Sequence, residues 1–282
     1  MRVRVPASSA NLGPGFDTLA IALSLYTEVS IEENVPFAIE ATGEGSEFAD
    51  DPDNHLAVRI AREVIGSDRF SIQVRSEIPV GRGLGSSAAL AVATACAAGS
   101  VDPLGVASRF EGHPENAAAS VFGGLVAATN TAEGPIARKL SLDEGIGIVV
   151  VIPNFRLSTK QARSVLPTSI PMEDVQSNLG RMGILIAGFA DIAGFTSEAT
   201  KDRIHQPYRE KLFPQSSQII EGLVAFGALG ASWSGAGPTM VAFCKRLEGE
   251  SIAEKARKLI EELSLDASVR TLEVDRTGMQ RV

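Results

Sequence analysis

The segment PVGRGLGSSAAL, residues 79–90, sets Gly81, Gly83 and Gly85 at alternate positions and follows them at once with Ser86 and Ser87. Glycine loses more backbone freedom on folding than any other residue, so three within five positions need a compensating reason. The alanine-rich continuation, AALAVATACAA, reads as a helix. A glycine loop that opens into a helix presents free backbone N–H groups and the positive end of the helix dipole, a combination suited to an anion. The two serine hydroxyls could cap that helix or meet a metal-associated phosphate. Two known phosphate loops are excluded. No Gly-Lys-Ser/Thr follows the glycines, as a Walker loop requires. The G-x-G-x-G-S-S spacing also lacks the third glycine of the dinucleotide fingerprint, and no acidic residue sits suitably about twenty positions on. The nearest cation is Arg82, inside the loop.

The elements that must hold this loop follow from hydrophobic periodicity. Alternation predicts strands at VRV near the start, at 25–32 and at 70–78; apolar runs predict buried strands at 123–130 and 145–153, and VRTLEVD (269–275) reads as the last strand. HLAVRIAREVIG (55–66) is an amphipathic helix stopped by Gly66, with Asn54 before it as an N-cap. ESIAEKARKLIEEL is another, with Ile252, Ala256, Leu259, Ile260 and Leu263 on one face. A second helical region spans roughly 177–199, behind a polar, proline-bearing stretch at 154–175, and ASWSGAGPTMVAFC (231–244) reads as a turn between strands. Strands and helices mix without a regular βαβ beat, which predicts the α+β class, with a domain break near 145–155.

Composition narrows the function. The chain has 282 residues, 44% hydrophobic and 21% charged, as a globular enzyme with a real core would. A net charge of −8 argues against a nucleic-acid partner. Cys96 and Cys244 lie in apolar patterns and form neither a disulfide framework nor a thiolate cluster. MRVRVPASSANL lacks the apolar core of a signal peptide, and LAIALSL (19–25) is too short to span a bilayer. A cytoplasmic protein with no membrane partner is the expectation.

Three glycine-bearing motifs stand in order: PASSANLGPGFDTLAIAL (6–23), PVGRGLGSSAAL (79–90) and SGAGPTMVAF (234–243). Together they resemble the GHMP small-molecule kinases, over nearly the whole chain. Four stretches are similar to the homoserine kinase branch: ANLGPGFD (10–17), EGHPENAAASVFGG (111–124), LSTKQARSVLP (157–167) and DRIHQPYREKLFP (202–214). Three departures are visible. Glu115 stands where that branch usually has Asp, Trp233 stands where a small or aliphatic residue is usual, and the chain is somewhat short. The resemblance implies a two-domain fold: a βαβ-type, ATP-binding domain over 1–148 with a left-handed βαβ unit, then a ferredoxin-like domain over 149–282, with the active site between. It implies ATP-dependent phosphorylation of the L-homoserine hydroxyl, a step towards threonine. It leaves open another GHMP acceptor, such as mevalonate, shikimate or a similar small hydroxy acid, as well as a silent regulator on the same fold. A homodimer is also compatible with it.

The resemblance further implies residue roles. Pro79, Val80, Gly81, Arg82, Gly83, Leu84, Gly85, Ser86, Ser87, Ala88 and Ala89 would cradle ATP, and Gly235 and Gly237 would let the third motif approach that loop. Glu111 and Ser87 would hold Mg2+, with Glu111, Ser86 and Ser87 as the catalytic set. Arg163 and Arg209 would take the acceptor carboxylate, because a guanidinium binds it through two parallel hydrogen bonds. Asp17 would take the ammonium, Asn11 the polar atoms beside the hydroxyl, and His113 would orient the acceptor. Asn54 matches a position near adenine. No dedicated general base is implied, and His55 and His205 receive no role.

Overall fold

The computed structural model describes residues 1–282. The first motif folds as two antiparallel strands, β1 (Arg2–Asn11) and β2 (Gly15–Glu33), joined by the tight NLGP turn. The apolar LAIALSL run is the buried middle of the long β2. The exposed β3 (Ala38–Gly43), α1 (Leu56–Ile65) and β4 (Phe70–Ser76) form a βαβ unit, with β3 and β4 parallel. The glycine loop leads into α2 (Ser86–Ala97), followed by α3 (Pro103–Glu111) and α4 (Glu115–Phe122). β5 (Leu125–Thr131) then pairs with the start of β2, and β6 (Gly134–Lys139) pairs with β5. The alanines of α2 are buried on nearly every side, against the sheet and the other helices; small side chains allow that close packing.

A second sheet begins with β7 (Ile146–Pro153), whose eight residues are all buried. After it come α5 (Thr159–Ser164), α6 (Met172–Ala190), α7 (Gln206–Arg209) and α8 (Ser216–Ala225). β8 (Gly230–Trp233), β9 (Met240–Lys245), α9 (Gly249–Glu262) and β10 (Ala267–Leu272) complete it. The order is β10-β7-β9-β8, antiparallel throughout, which is the ferredoxin-like arrangement. The chain then returns to the first sheet: Val274 bridges Leu23, and β11 (Gln280–Arg281) pairs with β1. The fold is α+β, as expected.

Several details depart from the sequence reading. VRTLEVD is not the last strand, since β10 ends at Leu272 and β11 follows. The polar 154–175 stretch holds a short helix for which the sequence reading gave no element: Ser158 and Gln161 form a capping box that starts α5. The second helical region begins earlier and ends sooner, at Met172 and Ala190, where Asp191 turns extended. The N-cap of α1 is His55, whose Nδ1 accepts from the Ala57 N–H at 3.2 Å, and not Asn54. A division between 148 and 149 falls inside β7.

Candidate active site

A cavity of about 270 Å³ is lined by residues of all the motifs: Asn11 and Asp17 from the first, most of 79–87, Glu111 and His113, Arg163, Arg209 and Gly235. The loop is built as a cradle. Gly81, Gly83 and Gly85 have φ of +68°, +76° and +66°, a left-handed backbone that side chains strain. Space forbids a side chain as well. A Cβ on Gly83 would lie 2.2 Å from Ser234 O, and one on Gly85 2.1 Å from Ser8 Oγ. Gly85, without a side chain, is the N-cap of α2. The first intrahelical bond runs from Ala89 N to Gly85 O at 2.9 Å, so the N–H groups of Ser86, Ser87 and Ala88 start the helix without an acceptor in it.

Three expectations for this loop are corrected. Ser86 and Ser87 do not cap the helix; Ser87 Oγ donates instead to Glu111 Oε2 at 2.8 Å. Arg82 does not reach the cavity: its Nη1 donates to Pro153 O (2.6 Å) and its Nη2 to Asn154 Oδ1 (3.2 Å), tying the loop to the end of β7. Ala88 and Ala89 have side chains in the core, and the Ala89 N–H is spent within the helix. Gly237, in the third motif, does not line the cavity but does approach the loop as expected: a Cβ on Gly83 would stand 2.8 Å from Gly237 N, and one on Gly237 itself would strike the Trp233 ring at 2.3 Å. Trp233 itself is buried there and does not line the cavity.

The third motif seals the loop from the other side. Ser234 Oγ donates to Gly83 O at 2.6 Å, and Thr239 N to Arg82 O at 3.2 Å. Gly235 comes so close that a Cβ there would stand 3.2 Å from Gly83 O. Its carbonyl accepts from Asn11 Nδ2 at 2.8 Å and from Arg209 Nη1 at 2.7 Å.

The charged side chains divide the cavity. Burial raises the Glu111 carboxyl above its ordinary range, against the opposing Ser87 hydrogen bond. His113 Nδ1 lies 3.0 Å from Glu115 Oε1. Burial would lower the His113 pKa, but the Glu115, Glu111 and Asp17 carboxylates outweigh it and raise it. At the far side Arg163 Nη2 donates to Asp17 Oδ1 at 2.7 Å, and the Asp17 N–H donates to Asn11 Oδ1 at 3.0 Å. Arg209 is only 2% exposed. Its partners are neutral: Gly235 O, the His205 ring at 3.2 Å and Ala162 O at 3.4 Å. Burial, then Arg163, lowers its pKa to about 10, so it stays charged at neutral pH. The Cζ of each arginine lies 5.5 Å from the centre of the Phe16 ring.

The structure also brings in residues without a role in the sequence reading. Glu115, Asn116, Leu157, Ser158 and Thr159 line the cavity. All lie within stretches already singled out for their neighbours. A second cavity, of about 260 Å³, shares Val80, Ser86 and Ser87 with the first and is walled by Phe48, Leu56, Val74 and Leu90, with Asn54 and His55 at its edge.

This geometry has counterparts. The family pattern for the GHMP kinases N terminal domain matches residues 55–124, and that for the GHMP kinases C terminal region matches 176–262. The chain belongs to the GHMP kinases. It is 40% identical to a homoserine kinase of Moorella thermoacetica over 86% of this chain and 87% of that one. It is 35% identical to one of Persephonella marina over 99% and 97%. Within the class, it is a member of the homoserine kinase family. A crystal structure of homoserine kinase from Cytophaga hutchinsonii superposes with a TM-score of 0.85 at 24% identity, over all of this chain and 97% of that one. Leishmania major mevalonate kinase in complex with R-mevalonate shares the fold at 0.73 and 14%, over 99% and 97%. No helix is long and apolar enough to cross a membrane.

Proposed function

We propose that the protein transfers the γ-phosphate of ATP to the side-chain hydroxyl of L-homoserine, giving O-phospho-L-homoserine for threonine biosynthesis. The observation that carries this reading is Arg209: a buried guanidinium held by two carbonyls and an imidazole, with no carboxylate among its hydrogen-bond partners. A buried cation so held is a receptor for an anionic group brought by a ligand. Arg163 stands near enough to repel it and shares the Phe16 ring, so the two suit one acceptor carboxylate. Asp17 suits the ammonium of an amino acid, which mevalonate and shikimate lack. The glycine loop and the start of α2 would bind the phosphates, and the second cavity, with its apolar walls, the adenine.

The residues present fit a divalent cation. Burial disfavours the charge of the Glu111 carboxyl, raising its pKa, and its side-chain hydrogen bond is to a serine hydroxyl and not to a cation, so a bound divalent ion would supply the missing positive partner. No cluster of three His, Cys, Asp or Glu exists, so phosphate oxygens would complete the coordination, as is usual for magnesium. Bound there, Mg2+ supplies neutralisation of the phosphoryl charge. The chain's own part is positioning: Arg209, Arg163, Asp17 and Asn11 orient the acceptor so that its hydroxyl faces the γ-phosphate. No dedicated base is assigned, because Asp17 is engaged by Arg163.

We take the two sheets as the cores of an ATP-binding and an acceptor-side domain, with the division in residues 140–145. A small-molecule partner rather than nucleic acid accords with the net charge of −8. A cytoplasmic location and a homodimer rest on the family resemblance alone. The test is ADP release from Mg-ATP with L-homoserine, D-homoserine, mevalonate, shikimate and galactose. Turnover selective for L-homoserine is expected; turnover on mevalonate or shikimate alone would overturn the acceptor assignment.

A further inference from the structure

His205 is wholly buried between the first motif and Arg209, and no step above uses it. Its two ring nitrogens have fixed roles. Nε2 lies 2.8 Å from Gly13 O, and a carbonyl can only accept, so Nε2 carries the hydrogen. The neutral ring then has a lone pair on Nδ1, which faces Arg209 Nη1 at 3.2 Å. Asp202 does not compete for the Nε2 hydrogen. Its Oδ1 accepts from Asn178 Nδ2 (2.6 Å) and Ile204 N (3.0 Å), and its Oδ2 from His205 N (2.8 Å) and Gln206 N (2.6 Å). Oδ2 stands 3.7 Å from Nε2, beyond hydrogen-bond range. The Phe16 ring stacks on the imidazole with centroids 5.2 Å apart, holding its plane.

The consequence falls on the guanidinium. Arg209 Nη1 has two hydrogens, one directed to Gly235 O and one to His205 Nδ1. Nε points at Ala162 O. Nη2 alone has no protein acceptor, and Arg209 borders the cavity. We propose that His205 is a positioning residue for the acceptor: by taking the second Nη1 hydrogen it fixes the roll of the guanidinium and aims the Nη2 hydrogens at the acceptor carboxylate. Burial supports the neutral ring that this requires, pulling the His205 pKa to about 4 despite Asp202. The proposal rests on the reading of Arg209 as the carboxylate receptor.

Two polar replacements separate the two nitrogens. His205→Asn keeps an acceptor at the Nδ1 position, and His205→Gln keeps a donor near the Nε2 position. In steady-state assays of the purified kinase, His205→Gln is expected to raise the KM for L-homoserine about tenfold or more, the loss expected of a hydrogen bond from a charged donor. His205→Asn should recover a large part of that loss, and the KM for Mg-ATP should stay within about twofold in both, since the nucleotide side makes no use of this bond. In an Arg209→Ala background, His205→Gln should add nothing further, because the bond's donor is gone. If the two replacements rank in the opposite order, if ATP suffers equally, or if the double variant shows additive losses, His205 has only a packing role. If Arg209→Ala itself leaves the homoserine KM unchanged, the carboxylate receptor lies elsewhere, and both readings fall.

Discussion

Asn11 and Arg209 donate to one carbonyl oxygen, that of Gly235, at 2.8 and 2.7 Å. One donor ends β1, one ends α7, and the acceptor lies in the turn between β8 and β9. The acceptor side of the cavity is thus tied to the turn that also closes on the glycine loop through Ser234 and Gly83. The residues proposed to orient the acceptor and the loop proposed to bind phosphate share one small piece of backbone.

Gly83→Ala tests that seam. The new Cβ would stand 2.2 Å from Ser234 O, backbone that cannot swing aside, at a φ of +76°. The expected result is a loss of stability above about 1 kcal/mol together with a raised ATP KM. Thermal unfolding and ATP titration check it; an unchanged ATP KM would show that the loop does not hold the nucleotide.

Glu111→Gln should separate activity from stability. Burial raises the Glu111 pKa, so the folded chain binds that proton more tightly than the unfolded one. Its contribution is present at low pH and is lost as pH rises from the ordinary carboxylate range through the raised value. Removing the charge should therefore leave the protein as stable or more so at neutral pH, while kcat falls about 100-fold or more with the loss of the proposed Mg2+ ligand. Melting and turnover at several magnesium concentrations give both readouts.

Arg163→Ala should raise the homoserine KM about tenfold, less than Arg209→Ala, because its side chain is 39% exposed and water screens it. Both variants should keep their ATP KM. Acceptor titrations at saturating ATP decide the ranking.

His205 sets an acid limit. Its folded pKa is about 4 against an ordinary 6.5, through burial and the adjacent Arg209, with Asp202 and Asp17 opposing. The folded state therefore favours the neutral ring; that stability is complete above pH 6.5 and is lost as pH falls towards 4. Urea unfolding at pH 7 and pH 5 should show the drop, and His205→Asn should flatten it.

What could be read from the residues depended on how local the signal was. The glycine loop, α1, α9 and the buried β7 each carry their reason in adjacent residues: left-handed glycines, a repeat of apolar positions, an unbroken apolar run. β3 does not. It is an edge strand whose residues are mostly exposed or half-exposed, so AIEATG shows no apolar alternation. α4 follows Pro114, an N-cap that offers no side-chain hydrogen bond, and α5 is a short helix in a polar stretch, visible only through its Ser158–Gln161 box. The cavity residues were legible as motifs, whereas Arg82 was misread because its side chain turns to the end of β7. His205 was missed because its partner Gly13 lies 192 positions away.

The Ser234–Gly83 seam also bears on how the molecule comes apart. Here a turn from one sheet fills the space left by missing side chains in a loop of the other, and Thr239 and Arg82 add a backbone bond across the same line. Neither half can let go without breaking the other's contacts. A single cooperative heat-absorption peak is therefore the expected calorimetric signature, in place of two independent melts. Any ligand that spans the line would act as a rivet, raising the melting temperature of both halves together.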